Sequence, residues 1–160
     1  KDPRRFGGIW WIGSDAQDAE IGPDALKIRP TELAKRLSRT KRAIKNALLD
    51  QQLIAGLGNI YVDESLFAAG IHPLALASRI SPSRAEKLHT AMRGILTHAI
   101  ELGGSSISDY VNAQGEQGWF QMEHKVYGRE GEPCIQCGSP IRKILVSQRG
   151  THFCPRCQKR

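Results

Sequence analysis

The chain has no hydrophobic run near the roughly 20 residues that cross a bilayer, which excludes a helical membrane protein and leaves no membrane partner to expect. Aromatics are scarce, at 6% of 160 residues. Cysteine is absent until position 134, so no disulfide framework staples most of the molecule. Internal repeats and low-complexity tracts are also missing, which removes solenoids and linker-like proteins from consideration. Acidic residues are in the minority, 16 against 23 Lys and Arg. There is no initiator Met and no signal-peptide pattern, and Lys1-Asp2-Pro3-Arg4-Arg5-Phe6 reads like the middle of a longer chain.

What is present is a soluble globular composition, 40% apolar and 24% charged. The length suits one ordinary domain or two small ones. The formal charge of +7 is clustered. Between Arg29 and Asp50, seven Lys/Arg face two acids; between Lys125 and Arg160, eight face two. Such clustering is the electrostatic footprint of a polyanion binder, although charge alone also fits a merely basic soluble protein.

The pattern changes along the chain. Residues 1–13, with Ile9, Trp10, Trp11 and Ile12 between glycines, read as a strand that needs a sheet from elsewhere. Residues 14–28 are acidic, carry Gly22-Pro23 and read as a linker or surface loop. A helical region follows over 29–124. Arg29-Pro30-Thr31 opens a first helix with Leu33 and Leu37 on one face. A second is expected from about Lys41 to Gln51 with Thr40 as N-cap, then a tight turn at Gly56 and Gly58. A third spans about Asn59 to Ala69, with Gly70 just past its end. The fourth is capped by Ser81 or Ser83 and runs to about Leu102. Residues 103–124 form a long polar loop region, and loops of that length usually carry function. Residues 125–160 hold two short β-like runs, Ile141–Val146 and Thr151–Phe153. The fold class is therefore mainly α with a small β-hairpin finger (α+β).

Cys134-Ile135-Gln136-Cys137 is followed after sixteen residues by Cys154-Pro155-Arg156-Cys157. Each knuckle puts two thiolates on one side of a tight turn, and a hairpin between the knuckles brings the pairs together. Four thiolates close a tetrahedron around one Zn2+ and leave no position for substrate, so the metal is structural. Two disulfides or four free thiols are the weaker alternatives.

The stretch from Lys45 to Tyr61 reads as a basic helix, a glycine turn and a new helix starting at Asn59. A helix start exposes unpaired N–H groups and the positive end of the dipole, which suits a phosphate; Asn59 adds a side-chain donor and Lys45 a charge. An ordinary helical hairpin with Asn59 as N-cap fits the same residues equally well.

Gly56-Leu57-Gly58-Asn59-Ile60-Tyr61, with Asp63-Glu64 and Ala69-Gly70-Ile71-His72-Pro73 behind it, resembles the helix–two-turn–helix of the formamidopyrimidine-DNA glycosylases and endonuclease VIII. Tyr127-Gly128-Arg129-Glu130-Gly131 through Cys157 is similar to their zinc finger, and Asp2-Pro3-Arg4-Arg5-Phe6-Gly7 to the segment closing their N-terminal domain. The resemblance implies that Asn59 and Arg149 pinch the DNA backbone at the damaged nucleotide, with Lys45 a further backbone contact. It implies that Arg4 and Phe6 enter the duplex where the damaged base leaves. It implies that the loop at Ile107, Ser108, Asp109 and Tyr110 caps an everted 8-oxoguanine, although Ser108 stands where some members carry a basic residue. The Arg-Arg-Phe set favours the purine-specific branch over the endonuclease VIII branch.

The implied activity is excision of oxidised purines with strand cleavage by β,δ-elimination, in the bacterial cytoplasm, on double-stranded DNA carrying oxidised purines or abasic sites, by a protein monomeric when full length. In that family an N-terminal proline amine is the nucleophile and the adjacent glutamate assists, after the base has left the stack. No Pro-Glu-Leu start stands in these 160 residues. The expectation is therefore a DNA-binding half whose N-terminal catalytic β-sandwich is absent from this chain, with no catalytic residue of its own. A free-standing zinc-ribbon DNA-binding module and an endonuclease-VIII-like member acting on oxidised pyrimidines are the rivals.

Overall fold

The structure, a computed structural model, describes residues 21–104 and 119–160. Among the described residues the order is α1 (Pro30–Ser38), α2 (Ile44–Leu49), α3 (Asn59–Ala68), α4 (Pro82–Glu101), β1 (Arg142–Val146) and β2 (Arg149–Phe153). Short 3-10 turns lie at Ala77–Arg79 and Phe120–Glu123. Mainly α with one small hairpin is what the sequence patterning led us to expect.

α1 starts at Pro30, whose fixed φ suits a first helical position, and buries Leu33 and Leu37 one turn apart. α4 starts behind Ser81, whose Oγ accepts the Arg84 N–H at 3.3 Å. It buries Ala85, Leu88, His89, Met92, Leu96 and Ala99, a stripe at helical spacing. Within that stripe His89 is a satisfied polar member, its Nε2 2.8 Å from the Ile28 carbonyl.

α3 is the centre of the molecule. Every residue from Val62 to Phe67 is buried, so it is covered on all sides. It packs on α2 and α4 across the larger core and meets β2 through polar contacts. α3 ends in a two-bond reverse turn: Ile71 N–H donates to the Leu66 carbonyl at 2.9 Å and Gly70 N–H to that of Phe67 at 3.0 Å. Gly70 sits at φ 66°, as anticipated from its place after the helix.

Three sequence-based boundaries shift. α2 is shorter than Lys41–Gln51, and Thr40 does not cap it. Its N-cap is Ala43, and its first amides are taken by a neighbouring loop, Ile44 N–H by the Ala75 carbonyl and Lys45 N–H by that of Pro73. Between α2 and α3 only Gly56 needs a glycine, at φ 94°; Gly58 is extended and serves as the N-cap of α3. Residues 21–28 are no free linker. Ala25 N–H donates to the Ala55 carbonyl at 2.9 Å, and Ala25 and Ile28 join the helical core.

The hairpin closes with Val146 opposite Arg149 across a two-residue turn, Ser147 and Gln148, both at positive φ (48° and 61°). This mirror-image turn matches the twist of the strands. The finger does not hang free. Phe67 of α3 packs with Val126, Cys134, Ile141 and Cys154 in a second small core. Beyond the second knuckle the chain returns to the helices, where Lys159 N–H donates to the Gly70 carbonyl and His72 N–H to that of Lys159. Trp119 N–H donates to the Leu102 carbonyl and Phe120 N–H to that of Gly104, joining the end of α4 to the 3-10 turn at Phe120–Glu123.

Candidate metal centre and nucleic-acid interface

The four cysteine sulfurs lie within 4.8 Å of one another. Cys134 and Cys157 Sγ are 3.9 Å apart, and Cys137 and Cys154 Sγ 3.5 Å. A disulfide needs about 2.05 Å, so these are not disulfides. A tetrahedron with Zn–S bonds of about 2.3 Å has edges of roughly 3.8 Å, so the spacing fits one zinc held by four sulfurs. Hydrogen bonds from the Ser139 backbone and hydroxyl bring the Cys137 thiol down to about 6, while burial pushes Cys154 and Cys157 up. Zinc uptake therefore displaces protons. The site supports the finger from within and has no open coordination position for chemistry.

Around it, two acids of α3 hold the finger in place. Glu64 is buried and accepts three consecutive backbone amides of the incoming chain: Lys125 at 2.9 Å, Val126 at 3.0 Å and Tyr127 at 2.8 Å. Asp63 is buried beside it and accepts the His152 N–H at 2.8 Å and the Lys45 ammonium at 2.6 Å. On the outgoing side Gln158 bridges, accepting the Cys154 N–H and donating to the Ile71 carbonyl. The sequence reading named Asp63 and Glu64 as motif residues without giving either a role, and missed Gln158. The available signal was a pair of acids inside the otherwise apolar run Val62–Phe67, which must find buried partners.

The expected phosphate-binding residues converge only in part. Asn59 is the first residue of α3, and Arg149 the first of β2. They meet through Gly150, whose carbonyl accepts Asn59 Nδ2 at 3.0 Å. Asn59 Nδ2 also reaches the Tyr127 hydroxyl at 3.4 Å. Asn59 is therefore no N-cap; Gly58 takes that position. Arg149 is exposed. The start of α3 thus lies against the strand that begins at the exposed Arg149, and a helix start beside a basic residue suits a phosphate.

Lys45 requires a correction. Its side chain has no exposed surface, so the direct backbone contact expected of it is unavailable in this geometry. Its ammonium is spent on Asp63 and, at 3.2 Å, on the Gly150 carbonyl. The other expected site residues, Arg4, Phe6, Ile107, Ser108, Asp109 and Tyr110, lie outside the described residues, as do Trp10 and Trp11.

Known proteins share this arrangement. The family model for the formamidopyrimidine-DNA glycosylase H2TH domain matches residues 21–111, and that for the zinc finger found in FPG and IleRS matches residues 131–160. A formamidopyrimidine-DNA glycosylase of Solibacter usitatus is 53% identical over 99% of the chain, and one of Bacillus subtilis is 46% identical over 99%. The chain spans only 61% and 60% of those relatives. Among solved structures, the MutM (Fpg) protein of Thermus thermophilus is 45% identical with a TM-score of 0.83, over 87% of this chain and 54% of that one. The Lactococcus lactis Fpg in complex with DNA containing an abasic site is 45% identical with a TM-score of 0.82, over 89% and 53%.

Proposed function

The chain belongs to the formamidopyrimidine-DNA glycosylase family, and from that premise we propose that it is the DNA-gripping half of a base-excision repair enzyme. The parent protein removes oxidised purines and cuts the strand by β,δ-elimination. The observation that carries this reading is the bond from Asn59 Nδ2 to the Gly150 carbonyl, which sets the start of α3 beside the residue that follows the exposed Arg149. Contacts of that kind hold phosphates without reading bases, which suits an enzyme that must scan any sequence. The clustered positive charge, net +5 over Arg29–Asp50 and net +6 over Lys125–Arg160, draws in the duplex.

The strand-cleaving chemistry is that of the parent protein, for which the family's nucleophile is an N-terminal proline amine assisted by the adjacent glutamate. Arg4 and Phe6 would fill the gap left by an everted base, and the 107–110 loop would cover the base itself.

The test is a binding titration of this chain, by fluorescence anisotropy, on a duplex with a tetrahydrofuran abasic site and on an intact duplex. Asn59→Ala and Arg149→Ala are each expected to weaken binding by about tenfold, the loss of one charge-assisted contact of about 1.4 kcal/mol. Unchanged affinity in both variants refutes the phosphate grip. Equal affinity for both duplexes favours a plain zinc-ribbon module instead.

A further inference from the structure

A lysine with no exposed surface is rare, and burying an ion pair is weak as a means of stabilisation. An apolar pair of the same volume would serve the core as well. The charge of Lys45 therefore calls for another explanation, and the hairpin supplies it. With Val146 and Arg149 closing the two-residue turn, Arg149, Thr151 and Phe153 direct their backbone groups toward β1. Gly150 and His152 direct theirs outward, along the free edge of a sheet of only two strands. That edge is where α2 and α3 meet the finger. The Gly150 carbonyl takes Lys45 Nζ at 3.2 Å and Asn59 Nδ2 at 3.0 Å, and the His152 N–H goes to Asp63 Oδ2 at 2.8 Å. The other Asp63 oxygen holds the ammonium at 2.6 Å.

We propose that the Lys45–Asp63 pair is an alignment device: it acts as a donor and an acceptor set on the outer edge of β2, fixing the residue after Arg149 so that the guanidinium is aimed at the phosphate that Asn59 contacts. Lys45 is thus a positioning residue and touches no DNA. Apolar residues could fill the space but could not bond the edge. The Arg149 charge is felt at Lys45, where burial first, and Arg149 in addition, depress the ammonium against the pull of Asp63. The inference rests on the phosphate-grip reading above.

Salt dependence separates alignment from contact. A residue that pairs with a phosphate releases a counterion, so its loss lowers the slope of log K against log [salt] by about one. The variants are Lys45→Met and, because that change strands a buried carboxylate, the double variant K45M/D63L, which removes both charges together. Both are measured on the abasic duplex beside R149A. The expected result for the double variant is a full zinc complement, at least a tenfold loss of affinity and an unchanged slope, while R149A loses about one unit of slope. A slope lowered by about one in K45M or the double variant, or native affinity in the folded double variant, overturns the inference. Amide hydrogen exchange reads the alignment without DNA. His152 is expected to exchange at least tenfold faster in the double variant while Thr151, paired across the hairpin, stays protected. Unchanged His152 protection overturns the alignment itself. If instead R149A and N59A bind as well as the native chain, the phosphate grip is wrong, and the exchange result still decides whether the pair sets the edge.

Discussion

At the scale of single residues, the molecule is decided by a few positions that tolerate one chemistry. Gly70 is one. Its positive φ lets α3 turn back on itself, and a Cβ there would come within 3.5 Å of the Cys157 carbonyl. Gly70→Ala is expected to cost about 1 kcal/mol, a fall of roughly 2–4 °C in melting midpoint for a chain of this size. An unchanged midpoint by calorimetry contradicts this. Gly70 was legible from sequence because a glycine after a helical stretch needs no distant partner for its explanation. Ser81 before Pro82 was legible for the same reason. Lys45 was not. A lysine in a basic stretch reads as a surface charge, and only the fold reveals Asp63, eighteen positions on, and Gly150, 105 positions on, as its partners. Thr40 misled for the mirror-image reason, since the amides of Ile44 and Lys45 go to the carbonyls of Ala75 and Pro73, in a loop distant in the chain.

At the scale of elements, the finger and the helices keep separate cores. The larger core draws only on residues between Ala25 and Leu96, and the smaller one joins Phe67 to the finger. The two C-x-x-C knuckles made the metal site readable because ligand spacing is local information. What spacing cannot convey is how the finger is seated, which depends on Glu64, Asp63 and Gln158. Removing zinc with a strong chelator is expected to release one metal per chain and melt the β1–β2 hairpin, since four sulfurs are what holds the two knuckles together. The helical circular dichroism signal is expected to survive, because no finger residue belongs to the larger core. Loss of the helices together with the hairpin would show that the cores are not separate.

At the scale of the whole molecule, the seam between helices and finger is lined with rings that favour neutral histidine. His72 packs edge-on against Phe153, and its Nδ1 accepts the Leu74 N–H at 3.1 Å. Burial, aided by the Arg160 charge, lowers His72 from its ordinary value. Burial also lowers His124, against the opposing pull of Glu64 and of the Tyr127 backbone and with a small push from His152. A folded-state value below the unfolded one, about 6.5, leaves stability intact above that pH. As pH falls below it, the unfolded chain takes up protons that the folded one refuses. The melting midpoint is therefore expected to drop between pH 7 and pH 5, and to drop less in the variant H72N/H124N. Equal drops in the two proteins would contradict this account. The same seam joins residues 62 to 105 positions apart in the chain. The reverse turn at Gly70 and each zinc knuckle close over a handful of residues, whereas the Gly150 and His152 contacts close loops of 89 to 105 residues. In a refolding chain the helices and the metal centre are therefore expected to come first, and the junction of Gly150 and His152 with α2 and α3 last.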